Sequence, residues 1–488
     1  MLVVAGLLTG AAADMAQIQL LGIGVVSRSP FVTAKKLTNI YCERRPRGEK
    51  SMLVAFGTPG ETLFVDFGDT PCRGGLEFSN GSVAYVVHRG TLWEVNNAGT
   101  KTSRGTLLTV SGRVSMDHNG VQIMIVDGTA GYIYNTSTLV FTQIVDADFP
   151  ANPETVVYLS RRFVVTFAAS GRFYVSDIDN GLSWDALMFA NAESSPDPII
   201  SGWASTGQFI PLGVVTTEFW GNSGALDFPF TVLQGTPTEW GLAARWSIAK
   251  YDNSFACLIK NRMGQVMIAK MSGYLPEKIS TPDLDEIING YPSTSDASSY
   301  SYMLGGHPMY VINFPSANAG AGESWLYDGS TGFWSALKSF GIPRHNAQFG
   351  FQLLGVEIVA DYASGKLYRL MPDVLTDNGA SIEREMIGET IATEDGSFFP
   401  ADCLRLDMET GIGLTSGQGV NPQIALSLSR DNGKTWGPDM WKTAGAMGQY
   451  RTRVEWRRLG SPRYLTPKIR ITDPVNCAFV SACLNPDS

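Results

Sequence analysis

The sequence predicts an all-β protein: a six- or seven-bladed β-propeller followed by a C-terminal β-sandwich. Three observations carry that expectation. Short strand–turn–strand units with aromatic residues recur roughly every 40 to 60 residues, a propeller spacing. Glycine is abundant, at 52 residues, and Phe, Trp and Tyr make 11% of the chain, as many-turned β proteins require. After residue 400 the pattern becomes a run of alternating strands within one short region. With 488 residues, 44% of them hydrophobic, the chain can bury large cores without covalent staples.

Residues 1–40 are expected to form an N-terminal apolar arm. "MLVVAGLLTGAAAD" resembles the apolar part of a signal peptide but lacks its basic start, and it is too short to span a bilayer. Met15 opens "MAQIQLL", which reads as an ordinary start, so the first 14 residues are an arm or an upstream extension of the frame. A cleaved secretion signal is the alternative.

Residues 41–372 hold the propeller. Its repeat is visible in "VVHRGTLWEV" (86–95), "VDGTAGYIYN" (126–135), "FAASGRFYVS" (167–176) and "VVTTEFWGNS" (214–223). It continues in "KNRMGQVMIAK" (260–270), "GAGESWLYDG" (320–329) and "DYASGKLYRL" (361–370). One blade cannot bury both faces of its sheet; radial stacking does. Asn-Gly pairs at Asn80, Asn119, Asn180, Asn289, Asn378 and Asn432 predict type I′ hairpins. One helix is expected in "TPDLDEIINGY", with Thr281 as N-cap and Pro282 in the first turn. Residues 373–400 are polar and turn-rich and are expected to be a linker or insertion. Residues 401–488 supply the alternating strands of the sandwich.

The net charge of −9 argues against a nucleic-acid-coating role, which needs a basic surface. Cys42, Cys72, Cys257, Cys403, Cys477 and Cys483 are scattered without a CxxC, which favours buried free thiols over disulfides or zinc. His88, His118, His307 and His345 have no paired metal spacing and are expected in turns or at the surface. No nucleophile elbow, phosphate loop or calcium loop occurs. No catalytic residue, metal site or cofactor is therefore expected.

Two features remain as candidate sites. "SRDNGKTW" fits the Asp-box pattern, through Ser429, Asp431, Gly433 and Trp436. Its physical content is a turn: Asp431 accepts backbone N–H groups, Gly433 takes a positive φ and Trp436 packs on the sheet. "DIDNGLSW" (177–184) is a degenerate copy. A sialidase would also need an arginine triad and a Tyr–Glu pair, which cannot be assembled from motifs. The second feature is "YRTRVEWRRLGSPRY", a basic cluster of Arg451, Arg453, Arg457, Arg458 and Arg463. On a strand, Arg451 and Arg453 would share one face and Val454 and Trp456 the other. Such a face suits an acidic neighbouring subunit or DNA phosphates, or is simply solvated.

The run from "CLRLDMETGIGL" through "SRDNGKTW" to "RTRVEWRRLG" and "KIRITDPV" resembles the packaged-DNA stabilisation proteins, the tail-hub or nozzle proteins of short-tailed bacteriophages. "SWLYDGSTGFWSAL", "GKLYRLMPDVLTDNGASIEREM", "SGRVSMDHNG" and "MAQIQLL" resemble other segments of that family. The resemblance implies a structural virion protein, placed in the short tail and in the host cytoplasm during assembly. It implies a propeller with additional β domains, assembled as a homohexamer. Implied partners are the tail adaptor or head-to-tail connector, tail spikes, fibres or a plug, and double-stranded DNA in passage, with no membrane anchor. The implied role is to continue the DNA channel, retain the packaged genome and guide its ejection. A carbohydrate-binding or sialidase-like propeller is the alternative.

Overall fold

The computed structural model describes residues 16–18, 20–21, 24, 33–46, 51–78, 81–192, 195–225 and 228–485. Of the arm expected over residues 1–40, residues 1–15 lie outside them. Seven blades follow one another around a ring. Blades 1 to 6 span residues 72–106, 115–143, 153–191, 199–232, 241–278 and 298–337. Blade 7 takes three strands from residues 347–371 and its fourth strand from Gly60–Asp66, with the short strands Thr376–Asp377 and Ala380–Ser381 added beyond it. That closing strand runs antiparallel to Lys366–Met371, pairing Gly60 with Met371 and Asp66 with Lys366. A strand from before blade 1 thus completes blade 7, and the blade number is settled at seven.

The blades form because their central strands are apolar on both sides. In Val83–His88, Tyr85 and Val87 pack towards blade 2, while Ala84 and Val86 pack towards blade 7. In Gln122–Val126, Ile123 and Ile125 face blade 1 and Met124 and Val126 face blade 3. The period-2 alternation of a strand therefore splits one apolar run between two inter-blade cores. Seven such cores close the ring.

The helix forms as expected, over Pro282–Asn289. Thr281 Oγ1 caps it by accepting from Leu284 N at 3.2 Å, and Leu284 and Ile288 turn one face into the core between blades 5 and 6. The hairpin expectation for Asn-Gly holds less widely. Both residues have positive φ at Asn378-Gly379 and at Asn432-Gly433. At Asn289-Gly290 the pair ends the helix, and Asn180 begins a strand. Asn80 lies outside the described residues. All six cysteines are free thiols.

The sandwich corrects the expected domain boundaries. One sheet runs Ile40–Arg44, Leu53–Gly57, Ala478–Leu484, Ala401–Met408, Val454–Gly460, with Ala16–Ile18 also paired to Ala478–Leu484. The other runs Lys36–Thr38, Arg384–Ile387, Tyr464–Ile471, Gln423–Ser429, Met440–Thr443. Residues expected in an arm, in the propeller and in a linker are therefore strands of the sandwich. Their apolar residues say why: Ile18, Leu37, Ile40, Cys42, Ala55 and Met386 share one core with Leu404, Trp456 and Ile469.

The two domains are joined by a continuous sheet. Lys36–Thr38 pairs in parallel with the outer strand of blade 6, through Thr38 and Ala336, and antiparallel with Arg384–Ile387. Asn39 locks this joint. Its backbone N–H donates to Ala336 O at 2.9 Å, its Nδ2 to Lys338 O at 3.0 Å and Glu383 O at 2.8 Å, and its Oδ1 accepts from Lys338 N at 2.9 Å. Its φ of 54° is a conformation that Asn tolerates better than most residues.

Candidate functional site

The Asp-box turn satisfies its own polar groups. Ser429 Oγ donates to Asp431 Oδ1 at 2.7 Å and accepts from Gly433 N at 2.8 Å. Asp431 Oδ1 also accepts from Lys434 N at 3.1 Å and Thr435 N at 2.8 Å, and Oδ2 accepts from Thr435 Oγ1 at 2.6 Å. These bonds, led by that from Ser429, hold the carboxyl far below the usual carboxylate range. Lys468 Nζ stands 4.5 Å from the Trp436 ring centroid, and a Cβ on Gly433 would meet Ala34 at 2.8 Å. The turn thus clamps the incoming N-terminal chain against the sandwich. A carboxylate this committed to its own loop is poorly placed to act as an acid or nucleophile.

The degenerate copy is built differently. Asp177 accepts from Ser183 Oγ at 2.6 Å, whereas Asp179 binds Arg161 and the Tyr158 hydroxyl, outside the turn. Trp184 Nε1 donates to Gly181 O at 2.9 Å. The two motifs share letters and not a hydrogen-bond pattern.

The five arginines are divided by the fold. The strand begins at Val454, so Arg451, in a turn, and Arg453 both precede it, which corrects their expected place on the strand. Val454 and Trp456 do face the core, at 1% and 2% exposure. Arg457 Nη2 donates to Glu455 Oε2 at 2.9 Å, and Glu455 also holds Arg405 Nε at 2.7 Å. Arg458 has a positive φ of 63° and points to solvent. Arg463 stacks on Phe398, 4.7 Å from the ring centroid, at the far end of a seven-residue strand. That length separates it from Arg453 by roughly 20 Å.

Two features escape the sequence. The first is on the propeller axis. Arg113, which precedes the inner strand of blade 2, stacks between Trp246 of blade 5 and Phe349 of blade 7, at 4.4 and 5.0 Å from their centroids. On a seven-bladed ring only a group near the axis reaches blades 2, 5 and 7 together. Its Nε and Nη1 are sealed from solvent without a hydrogen-bond partner among the described residues, and burial lowers its pKa to about 10. The ring faces stabilise the cation by about 2 kcal/mol when desolvated. The propeller axis is therefore blocked by a side chain.

The second is a buried polar joint beneath the closing strand. Glu61 Oε2 accepts from Asn346 Nδ2 at 2.6 Å, and Glu61 Oε1 lies 3.6 Å from His345 Nε2. Burial pushes Glu61 up to about 8 and His345 down to about 4, so the pair is neutral near pH 7. The expectation that the histidines sit in turns or at the surface is corrected here: His345 and His88 are each 7% exposed. Among the described residues no cluster of three or more His, Cys, Asp or Glu is arranged to hold a metal, and no helix is long and apolar enough to cross a membrane.

Known structures of similar shape include one titled for the mitotic checkpoint complex (13% identity, 67% of this chain and 95% of that chain, TM-score 0.41). Another is the N-terminal domain of Nup159 (12% identity, 68% and 97%, TM-score 0.40). A third is the extracellular domain of a putative one-component system from B. thetaiotaomicron (10% identity, 83% and 48%, TM-score 0.43). Similarity at these TM-scores says nothing of function. No curated protein matches the chain. Family models do match. That of the bacteriophage P22 Gp10 β-propeller covers residues 17–375, and that of the P22 Gp10 β-sandwich covers residues 383–485. The chain belongs to the bacteriophage P22 Gp10 family, and it is a structural protein of a phage tail.

Proposed function

We propose that this chain is one subunit of a homohexameric tail hub, or nozzle, below the portal and its adaptor. In this reading the ring continues the DNA channel, retains the packaged genome and guides its ejection. The observation that carries it is the match of both domains, in order, to the P22 Gp10 family. The blocked axis adds a constraint. With Arg113 wedged between Trp246 and Phe349, DNA has no path through a single propeller, so a conduit has to lie between subunits. An acidic wall suits that use, because repulsion of phosphate keeps affinity for moving DNA low.

The remaining contacts follow as proposals. Arg451 and Arg453, both exposed, would meet an acidic neighbouring subunit. The adaptor and the spikes, fibres or plug would take the two ends of the ring. The role is mechanical and non-enzymatic. Native mass measurement of the full chain with purified adaptor tests it: a hexamer bound to adaptor is expected. A stable monomer without adaptor affinity, or clear turnover of a fluorogenic sialoside, would overturn it.

A further inference from the structure

A cavity of about 620 Å3 opens among strands and turns of blades 4, 5, 6, 7 and 1. Its walls include Trp203 of blade 4, Tyr300, Tyr302 and Phe351, and three acidic residues, Glu77 of blade 1, Asp252 of blade 5 and Glu357 of blade 7, belong to the same lining. Glu357 is 9% exposed. Gln352 hydrogen-bonds its carboxyl, yet Oε2 is sealed from solvent with no partner among the described residues. Gly350 makes the room: a Cβ there would stand 2.5 Å from Glu357 Oε1. Lys250 also lines the cavity, and among the described residues it pairs with neither Glu77 nor Glu357.

A buried carboxyl with an unused acceptor costs free energy, and a second carboxylate beside it adds repulsion. The aromatic faces carry negative potential of the same sign. The acidic residues and the aromatic faces of this lining thus favour a positive charge, against which Lys250 is the opposing feature. The apolar ring surface favours a cation on an alkyl stem over a hydrated metal ion, and among the described residues no three acidic groups are arranged to hold one.

We propose that this cavity binds a primary alkylammonium group, held by Glu357 and Glu77 between the aromatic walls. Such a group comes from a lysine side chain of another protein or from a free diamine. Burial, with Glu77 adding to it, pushes Glu357 up to about 8, so the empty site holds a proton that the cation displaces. Glu77 of blade 1 and Tyr300 and Tyr302 of blade 6 lie within electrostatic reach of Glu357, and Lys250, Tyr251 and Asp252 of blade 5 are the other titratable groups of the lining. The three tyrosines are pushed above their ordinary range by burial and stay neutral.

Calorimetry on the full chain tests this with n-pentylammonium, and with n-pentanol as a neutral probe of the same shape. The ammonium is expected to bind with a Kd of about 1 mM or tighter, and the alcohol about tenfold more weakly. Glu357→Gln should weaken ammonium binding about tenfold while leaving the melting temperature within a few degrees. Should that variant fail to fold, Glu77→Gln and the pH dependence serve. Ionised Glu357 rises from about a tenth at pH 7 to about nine-tenths at pH 9, so affinity should rise about tenfold. Tighter binding of Nα-acetyl-lysine N-methylamide than of cadaverine would support a protein lysine as the source, and the reverse order a free diamine. Equal binding of pentanol, pH-independent affinity, or no ammonium binding at about 10 mM would overturn the proposal.

Discussion

The propeller and the sandwich are closed in opposite ways. Six blades are local meanders, each complete before the next begins, and only blade 7 borrows a strand, Gly60–Asp66. The sandwich is closed by non-local pairs. Lys36–Thr38 and Leu53–Gly57 pair with strands that follow the whole propeller in sequence, and Ile40–Arg44 joins that sheet through its hairpin with Leu53–Gly57. Closing that long loop costs entropy before any sandwich contact repays it. A folded propeller holds the two chain ends together, so the sandwich depends on the propeller more than the reverse. Glu61 and Asn39 sit where this dependence is transmitted, one in the closing strand and the other in the shared sheet.

The sharpest way to break the comparison is inside the sandwich. Trp456 is 2% exposed and donates from Nε1 to Met440 O at 2.7 Å. Trp456→Ala should cost about 3 to 5 kcal/mol and unfold the sandwich first, leaving a separate propeller transition in calorimetry. One unsplit transition would show that the two domains are a single cooperative unit. Next comes the joint. Asn39→Ala removes three buried side-chain hydrogen bonds and puts Ala at a positive φ, for about 2 to 4 kcal/mol in urea unfolding. Loss near 1 kcal/mol would mean the sheet is held by its other pairs.

The smallest effect at low pH belongs to the closing strand. Glu61 and Glu357 have folded pKa values raised to about 8, so their protonated forms stabilise the fold and that contribution is lost as pH rises towards 8. His345 is lowered to about 4, so it adds no slope above its ordinary value near 6.5. Between pH 6.5 and 8 stability should therefore fall. Glu61→Gln should flatten that fall while changing little near pH 5, as thermal unfolding across the range would record. An unchanged slope would mean that Glu61 ionises freely.

Much of the fold was legible because blade strands are local and doubly buried. Tyr85, Val86 and Val87 read as one apolar run, and the turns between such runs recur at a propeller's spacing. The Asp-box was equally legible, since Ser429, Asp431 and Gly433 satisfy one another within five residues. The sandwich boundaries were not. Ile40 and Cys42 have the same alternation whether they face a blade or another sheet, and nothing local names the partner. The basic cluster misled for a related reason: the strand begins only at Val454, which leaves Arg451 and Arg453 off it.

By itself, then, the sequence determined the β class, the repeat, the helix at Pro282–Asn289 and the self-contained turn at Ser429. Each rests on contacts between residues near in the chain. Only the tertiary structure decided that residues 36–44 and 53–57 complete the sandwich, that Arg113 blocks the axis, and that Glu77 and Glu357 share one cavity. Those outcomes depend on which distant strands meet. Long-range pairing is chosen by the summed burial of whole faces, and no short stretch of residues records that sum.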